Sequence, residues 1–149
     1  STTEIVRLWT ARKSLSHAVK KIAPLKINED VVVPVTRLAE LVAAIDTLGE
    51  RYRLPIVSFG HAGNGNLHVN LMVHHDDDDE MARARDCRRA LVDTVLGLGG
   101  SLSGEHGIGS EKRQFMPLEF DVGTLGFMRD LKALFDPRSI LNPGKKLPD

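Results

Sequence analysis

The sequence is poor in cysteine, in net charge and in long apolar runs, and each shortage excludes a class of protein. Its single cysteine, Cys87, rules out an internal disulfide framework and a cysteine-based zinc ribbon. Lysine plus arginine balance aspartate plus glutamate at 20 each, so net charge provides no attraction to nucleic acid or acidic membranes. No apolar run approaches the roughly 18 residues of a membrane span, and the N-terminus lacks a signal-peptide layout. We therefore expect a cytoplasmic protein with Cys87 buried as a small apolar side chain.

The 149 residues predict a single α+β domain over residues 1–149. Helical periodicity begins at Ile5, Thr36 is expected to cap a second helix that weakens at Gly49, and further helices are predicted over 80–98 and 123–135. Strands are predicted at 31–35, 56–59, 66–73 and 100–105. This order is that of the ferredoxin-like fold, an antiparallel sheet with helices on one face. A C-terminal helix and an extended tail, DPRSILNPGKK, complete the expected architecture.

Apolar and polar side chains alternate along residues 66–73, and alternate residues of a strand point to opposite faces of a sheet. The set that needs burial is Leu67, Val69, Leu71 and Val73. The opposite set is Asn66, His68, Asn70 and Met72. We therefore expect His68 and Asn70 to point together, away from the main core.

Two histidines flank a glycine-rich turn, GHAGNGNLH, which joins two predicted strands. His61 and His68 stand seven residues apart, so the hairpin can bring both imidazoles to one point. A divalent metal site usually needs a third ligand and an open position. Glu105 lies at the end of the predicted fourth strand, inside the second glycine-rich segment, SGEHGIGSEK. These three side chains predict a site with two histidines and one carboxylate.

Simpler interpretations of these residues remain open. Each histidine can satisfy a local backbone group, and the glycines can merely supply turns with positive φ. The acidic run at 76–80 is explained by the positive N-terminal end of the helix that follows, rather than by a calcium site. The segment GHAGNGN lacks the ending of a phosphate loop, and it links two hairpin strands rather than a strand and a helix. Arg12, which shares a helical face with Trp9 and Ser16, can point into a site or simply reach water.

Four motifs span nearly the whole chain, namely WTAR at 9–12, GH through NLH at 60–68, SGEHGIG at 103–109 with Lys112, and FDP through LNPGK at 135–145. Together they resemble one known family, the C-terminal domain of the FAD-linked oxidases of the vanillyl-alcohol oxidase superfamily. The similar branch holds glycolate oxidase D subunits, D-lactate dehydrogenases and D-2-hydroxyglutarate dehydrogenase. One departure is Asn64, which stands where the family commonly has an aspartate, so any help from that carboxylate to a histidine is in doubt.

This resemblance implies roles for individual residues. His61, His68 and Glu105 are expected to hold a divalent metal, most similar to zinc. His106 is expected to take the hydroxyl proton of the substrate. The expected substrate contacts are Arg12 and Lys26 at the carboxylate, with Asn70, Ser16 and Lys112 assisting. The tail around Asn142 and Lys145 is expected to return to the cofactor.

The resemblance also implies a function for the whole polypeptide. An FAD-binding domain is expected to precede this one in the same polypeptide and to bind most of the FAD. Together they would oxidise a small D-2-hydroxy acid to the 2-oxo acid, so this chain alone is expected to be inactive. A homodimer or an electron-acceptor partner is compatible with the sequence. Two alternatives stay open, namely a free-standing metal-dependent hydrolase and a non-catalytic small-molecule-binding module.

Overall fold

The computed structural model describes residues 2–19 and 21–148, and of residues 15–19 it describes the backbone only. An antiparallel sheet and several helices lie within these ranges, which confirms the predicted α+β class. No helix there has both the length and the apolar character needed to cross a membrane. In chain order the elements are α1 (Thr2–Val19), β1 (Leu25–Val32), α2 (Leu38–Tyr52), β2 (Ile56–His61), β3 (Asn66–Val73), α3 (Asp78–Gly97), α4 (Met116–Glu119) and α5 (Val122–Phe135).

The three strands form an antiparallel sheet in the order β1-β3-β2, so β3 lies in the centre. Leu25 to Val32 of β1 pair with Val73 to Asn66, and Ile56 to His61 of β2 pair with Leu71 to Asn66. The turn between β2 and β3 requires glycine at Gly65, which has a φ of 72° and lies against Val33 so closely that a Cβ would overlap its carbonyl oxygen. This tight turn sets the spacing of the two histidines.

Helices α2 and α3 cover one face of the sheet and enclose the main core. The predicted alternation along β3 is confirmed there, because Val69, Leu71 and Val73 have no exposed surface. Cys87 on α3 is also buried, and burial raises the pKa of its thiol to about 11, which agrees with the apolar role predicted for it. The residues of α2 and α3 that fill this core include Leu41, Ile45, Leu48, Ala84, Leu91 and Val95.

The acidic run before α3 acts at the N-terminus of that helix, as predicted. Asp77 is the N-cap, and its side chain accepts a hydrogen bond of 2.8 Å from the backbone N–H of Glu80. Asp78, Asp79 and Glu80 occupy the first turn, where negative charge is favourable. The position of these carboxylates is therefore explained by the helix N-terminus, and Glu80 in addition accepts a hydrogen bond from the N–H of His74.

Two predicted boundaries differ from the structure. Strand β1 begins at Leu25 rather than at residue 31, and it stops at Val32, before Pro34, which has no N–H for a ladder. Thr36 does not cap α2, since a 3₁₀ turn at Val35–Arg37 leads directly into the helix. The helix then passes through Gly49 and ends at Tyr52.

The predicted fourth strand at residues 100–105 is reduced to a single bridge on the free edge of β1, between Ser101 and Val32. The next hydrogen-bonded pair of an antiparallel ladder would join Asp30 and Ser103, but the Asp30 carbonyl accepts from the Lys112 ammonium instead. The N–H of Leu102 donates to the Glu119 carboxylate at 3.0 Å, and its carbonyl accepts from the Lys112 ammonium at 2.6 Å. Residues 103–107 form a loop that lies against Asp30 of the sheet.

Candidate metal centre

The three side chains predicted to bind a metal converge in the structure. His61 ends β2, His68 lies on the central strand β3, and Glu105 belongs to the loop that follows the single bridge on β1. Oε1 of Glu105 lies 3.4 Å from Nε2 of His61 and 3.2 Å from Nε2 of His68. The two imidazole rings meet edge to face, with centroids 5.7 Å apart. One carboxylate oxygen thus faces both Nε2 atoms.

His68 is the most enclosed member of this group, with 13% of its side chain exposed, against 36% for His61 and 47% for Glu105. Its ring packs against Phe59 and stacks on His106 with a centroid distance of 5.0 Å. Burial lowers the pKa of His68, and the nearby negative charge of Asp30 only partly offsets this. A neutral imidazole, which has one nitrogen lone pair available, is therefore favoured at this position.

Asp30 lies directly beneath the site. Its Oδ2 accepts hydrogen bonds from the backbone N–H groups of Glu105 (2.7 Å) and His106 (2.8 Å) and from Oγ of Ser103 (3.2 Å). Burial alone would raise the pKa of Asp30, but the hydrogen bonds from His106 and Glu105 lower it to about 2. A fully charged carboxylate therefore holds the loop that carries Glu105.

Lys112 supports the site from below and does not face it. Its ammonium donates to the backbone carbonyls of Asp30 (2.5 Å) and Leu102 (2.6 Å) and lies 3.5 Å from the Glu29 carboxylate. Burial lowers the pKa of Lys112, although Glu29 and Asp30 act in the opposite direction. Only 6% of the residue is exposed and these contacts are structural, so its expected contact with substrate stays a prediction.

Asn70 points to the same side of the sheet as His68, as predicted, but it is fully buried. Its amide donates to the carbonyls of Val57 (2.9 Å) and His68 (3.1 Å) and accepts from Asn28 (2.8 Å). These bonds use both of its donors and connect neighbouring strands, and its expected contact with substrate stays a prediction. Lys26 lies on the same side, partly buried, opposite Met72.

The structure does not bring Arg12 to the histidines and Glu105. Its guanidinium lies over the Trp9 ring at 5.3 Å on the exposed helix α1, and no ion pair joins it to the site among residues 2–19 and 21–148. The side chain of Ser16 lies outside the described residues, so its predicted contact stays a prediction. Helix α1 exposes apolar side chains as well, including Ile5, Leu8 and Trp9.

His106 lies within the second glycine-rich segment, and the C-terminal tail contacts the same segment. His106 is half exposed, and its Nε2 lies 4.0 Å from Oε1 of Glu105. The tail is bound to the same segment through the N–H of Lys146, which donates to the Gly109 carbonyl at 2.7 Å. Asn142 and Lys145 are exposed on this tail. The structure therefore attaches the tail to the segment that carries Glu105 and His106.

The donor set fits a divalent cation. Two imidazole nitrogens and a carboxylate oxygen are typical ligands of zinc and of neighbouring first-row metals. Nitrogen lone pairs and a carboxylate repel one another at this range unless a proton or a cation lies between them. Asp30, His68, Glu105 and His106 also each offer one ligand atom, and these four atoms lie within 4.8 Å of one another. The arrangement is therefore suited to binding one cation.

Comparison with known proteins places this chain in a family. The family described as FAD linked oxidases, C-terminal domain, matches residues 1–146. The chain belongs to this family. Glycolate oxidase subunit GlcD of Bacillus subtilis (strain 168) is 38% identical over 142 residues, which are 95% of this chain and 30% of that protein.

Two further relatives of this FAD linked oxidase C-terminal domain carry other names. D-2-hydroxyglutarate dehydrogenase of Stutzerimonas stutzeri (strain A1501) is 34% identical over 146 residues, or 95% of this chain and 31% of that protein. The probable mitochondrial D-lactate dehydrogenase of Danio rerio is 34% identical over 145 residues, or 95% and 29%. The chain thus spans about 30% of the length of the curated relatives it matches.

Sequence reasoning missed Asp30 in this FAD linked oxidase domain. A signal for it exists, because Lys26, Asn28 and Asp30 alternate with Ile27 and Val31 along β1. This period of two would have placed Asp30 on the same face as His68, its partner in the sheet register. Because the strand is predicted to begin only at residue 31, Asp30 falls in a loop and is not among the predicted site residues.

Proposed function

We propose that this chain is the substrate- and metal-binding domain of an FAD-dependent oxidoreductase that converts a small D-2-hydroxy acid to the 2-oxo acid. In this proposal His61, His68 and Glu105 bind a divalent cation, for which zinc is the first choice. The observation that carries it is the approach of both Nε2 atoms to one Glu105 oxygen, at 3.4 and 3.2 Å. Family membership supports the link to FAD, and the names of the relatives support a 2-hydroxy acid substrate.

In the proposed reaction this chain binds the substrate, orients it and moves one proton. When bound, the cation would lower the pKa of a coordinated hydroxyl and FAD would accept a hydride equivalent. Nε2 of His106 is the proposed acceptor of the hydroxyl proton, since this ring is half exposed beside Glu105. The backbone N–H of His106 is held by Asp30, so the starting point of its side chain is fixed.

The substrate carboxylate needs cationic or hydrogen-bonding partners, and Arg12, Lys26 and Ser16 are the proposed ones. An arginine can bind a carboxylate through two parallel hydrogen bonds, which would fix the face that the substrate presents. Arg12 would have to reach the site from helix α1. Asn70 and Lys112 contribute to this proposal indirectly, because both stabilise the strand and the loop that carry the ligands.

FAD itself would be bound mainly by another part of the same polypeptide, with residues 1–149 as the C-terminal domain. Asn142 and Lys145 are proposed to contact it, because both are exposed on a tail that is bonded to the segment carrying His106. A cytoplasmic location, a homodimer and an electron-acceptor partner remain predictions beside this proposal.

The metal part of the proposal is tested by titrating the chain with Zn²⁺ in a calorimeter. We expect 1:1 binding to the wild type and a loss of more than about 100-fold in affinity for His61→Ala and Glu105→Gln, because removing even an outer partner of a ligand costs about 10- to 100-fold. His75→Ala is the matched control, since His75 is exposed and outside the site. Equal losses in the control and the ligand variants would refute the assignment.

The redox part is tested in the complete polypeptide with FAD bound. His106→Ala should abolish reduction of the flavin by D-2-hydroxy acids while zinc binding is kept. Full turnover by this variant would remove His106 from the reaction. Hydrolysis of simple esters by the zinc-loaded chain at enzyme-like rates would instead favour the free-standing hydrolase.

A further inference from the structure

We infer that Asp30 is a positioning residue that sets two ligands of the site at once, an inference that rests on the proposed metal site. One of its oxygens faces Nδ1 of His68 and so selects the tautomer of that imidazole. The other oxygen holds the backbone of the loop that carries Glu105 and His106. A single buried carboxylate would thereby align side chains that are far apart in sequence.

The first half of the inference concerns Oδ1 of Asp30 and Nδ1 of His68. These two atoms lie 3.5 Å apart, and both are buried without a hydrogen-bond partner among the described residues. An ordinary N–H···O bond is about 2.9 Å long, so a small movement of either side chain would close it. A buried carboxylate cannot donate, so the proton of this bond must be on Nδ1.

A proton on Nδ1 leaves the lone pair of His68 on Nε2. That atom lies 3.2 Å from Oε1 of Glu105, at the point where the cation is proposed to bind. A histidine ligand is commonly oriented in this way by a carboxylate at its other ring nitrogen, which also increases the basicity of the ligating nitrogen. Asp30 would therefore keep His68 in the form that can bind metal.

The second half of the inference concerns Oδ2 of Asp30 and the loop at residues 103–107. Oδ2 accepts from the N–H groups of Glu105 and His106, and also from Oγ of Ser103. The Ser103 hydroxyl in turn accepts from the N–H of Gly107 at 2.7 Å. Four polar hydrogens are thus used to fold this short segment around one carboxylate. These bonds therefore set the direction in which the Glu105 side chain points.

The backbone of Asp30 is itself held from the opposite face of the sheet. The Lys112 ammonium donates to its carbonyl, and the neighbouring Glu29 carboxylate accepts from Nε of Arg88 at 2.5 Å. Glu29 and Asp30 are 1% exposed each, so neither can relax into solvent without unfolding of the strand. The position of Asp30 is therefore set by the core of the protein rather than by the site.

The test is the tautomer of His68 in the metal-free chain, measured by long-range ¹H–¹⁵N NMR at about pH 8, where an ordinary imidazole is neutral. We expect Nδ1–H in the wild type. In Asp30→Asn the amide oxygen should stay with the loop N–H groups and its NH₂ should face Nδ1, so His68 should change to Nε2–H. The affinity of this variant for Zn²⁺ should fall by about 10- to 100-fold.

Two further variants separate this role from a general loss of structure. Ser103→Ala removes one loop contact but leaves Oδ1 free to pair with His68, so it should reduce zinc affinity less than Asp30→Asn and keep Nδ1–H. Asp93→Asn makes the same chemical change at an exposed carboxylate on α3 and should alter neither property. If Asp30→Asn does not fold, the wild-type tautomer and the Ser103→Ala affinity still decide the question.

The inference is overturned if the wild type has Nε2–H, or if Asp30→Asn keeps both Nδ1–H and wild-type zinc affinity. Failure of the wild type to bind zinc would overturn the proposed metal site instead. The tautomer of the metal-free chain would then still show whether Asp30 orients His68. The two failures are therefore distinguishable in one set of samples.

Discussion

Glu29 and Asp30 are neighbouring carboxylates on β1 that point to opposite faces of the sheet. Glu29 lies on the helix side, where it contacts Arg88 and Lys112. Asp30 lies on the open side, where it faces His68 and the loop at residues 103–107. Both are buried and make charge-assisted hydrogen bonds. Those of Glu29 stabilise the interior, whereas those of Asp30 organise the candidate site. Burial of a carboxylate therefore does not by itself identify a functional residue; the chemistry of its partners does.

The same division runs along the central strand β3. Its helix-side residues Val69 and Leu71 belong to the main apolar core. Its open-side residue His68 contacts aromatic rings and carboxylates. One strand thus provides stability through one face and candidate chemistry through the other, which predicts that the two properties can be changed separately.

The largest effect on stability is expected from Glu29→Gln. This change leaves Arg88 and Lys112 without their buried counter-charge, and breaking a buried ion pair costs about 3–5 kcal/mol. Urea denaturation should show this loss, whereas Glu40→Gln, in an exposed pair with Arg37, should cost less than about 1 kcal/mol. The zinc affinity of folded Glu29→Gln should change far less than that of Asp30→Asn. Equal affinity losses would contradict the separation of the two faces.

A second prediction uses the apolar part of the helix side. Leu71→Ala removes a fully buried side chain from the central strand and should reduce the free energy of unfolding by about 2–5 kcal/mol. Leu131→Ala on α5 is the matched control, because 46% of that residue is already exposed, and it should cost much less. If Leu71→Ala abolishes zinc binding while the chain is still folded, the site depends on the core more directly than we propose.

The smallest effect on the free energy of unfolding is expected from Asp30, on the open side of the sheet, at acid pH. The folded-state pKa of Asp30 is lowered to about 2, below the unfolded value of about 3.9, so its contribution is present above that range and is lost as pH falls. The loss should amount to about 2 kcal/mol between roughly pH 5 and pH 2. Asp30→Asn should lack this component, so the stability difference from wild type should shrink in acid. A difference that stays constant over this range would contradict the lowered pKa.

The parts of the fold that the sequence predicted are those with regular local patterns. The alternation along β3 predicted which residues enter the core, and the acidic run before α3 predicted a helix N-terminus. Residues 100–105 form only one bridge because distant side chains compete for the backbone groups, Lys112 at the carbonyl of Asp30 and Asp30 at the N–H of Glu105. Such competition depends on tertiary contacts, which no local pattern reports.

The candidate site was predictable to a similar extent. Glycine-rich segments and histidine spacing brought His61, His68 and Glu105 into one prediction, and the structure does bring them together. The roles expected of Asn70 and Lys112 were harder to assign, because whether a polar group faces a ligand or its own backbone depends on burial. Asp30 was missed since its partners lie on a loop far along the chain.

The separation of 75 residues between Asp30 and Glu105 has a consequence for the order in which the site assembles. The β2–β3 hairpin is local in sequence, so it can bring the two imidazoles together early in folding, whereas the carboxylate must wait for a long loop to close. Zinc present during refolding would first meet a two-nitrogen ligand pair of low affinity. If the chain binds zinc as we propose, complete coordination during refolding would therefore report closure of this long loop.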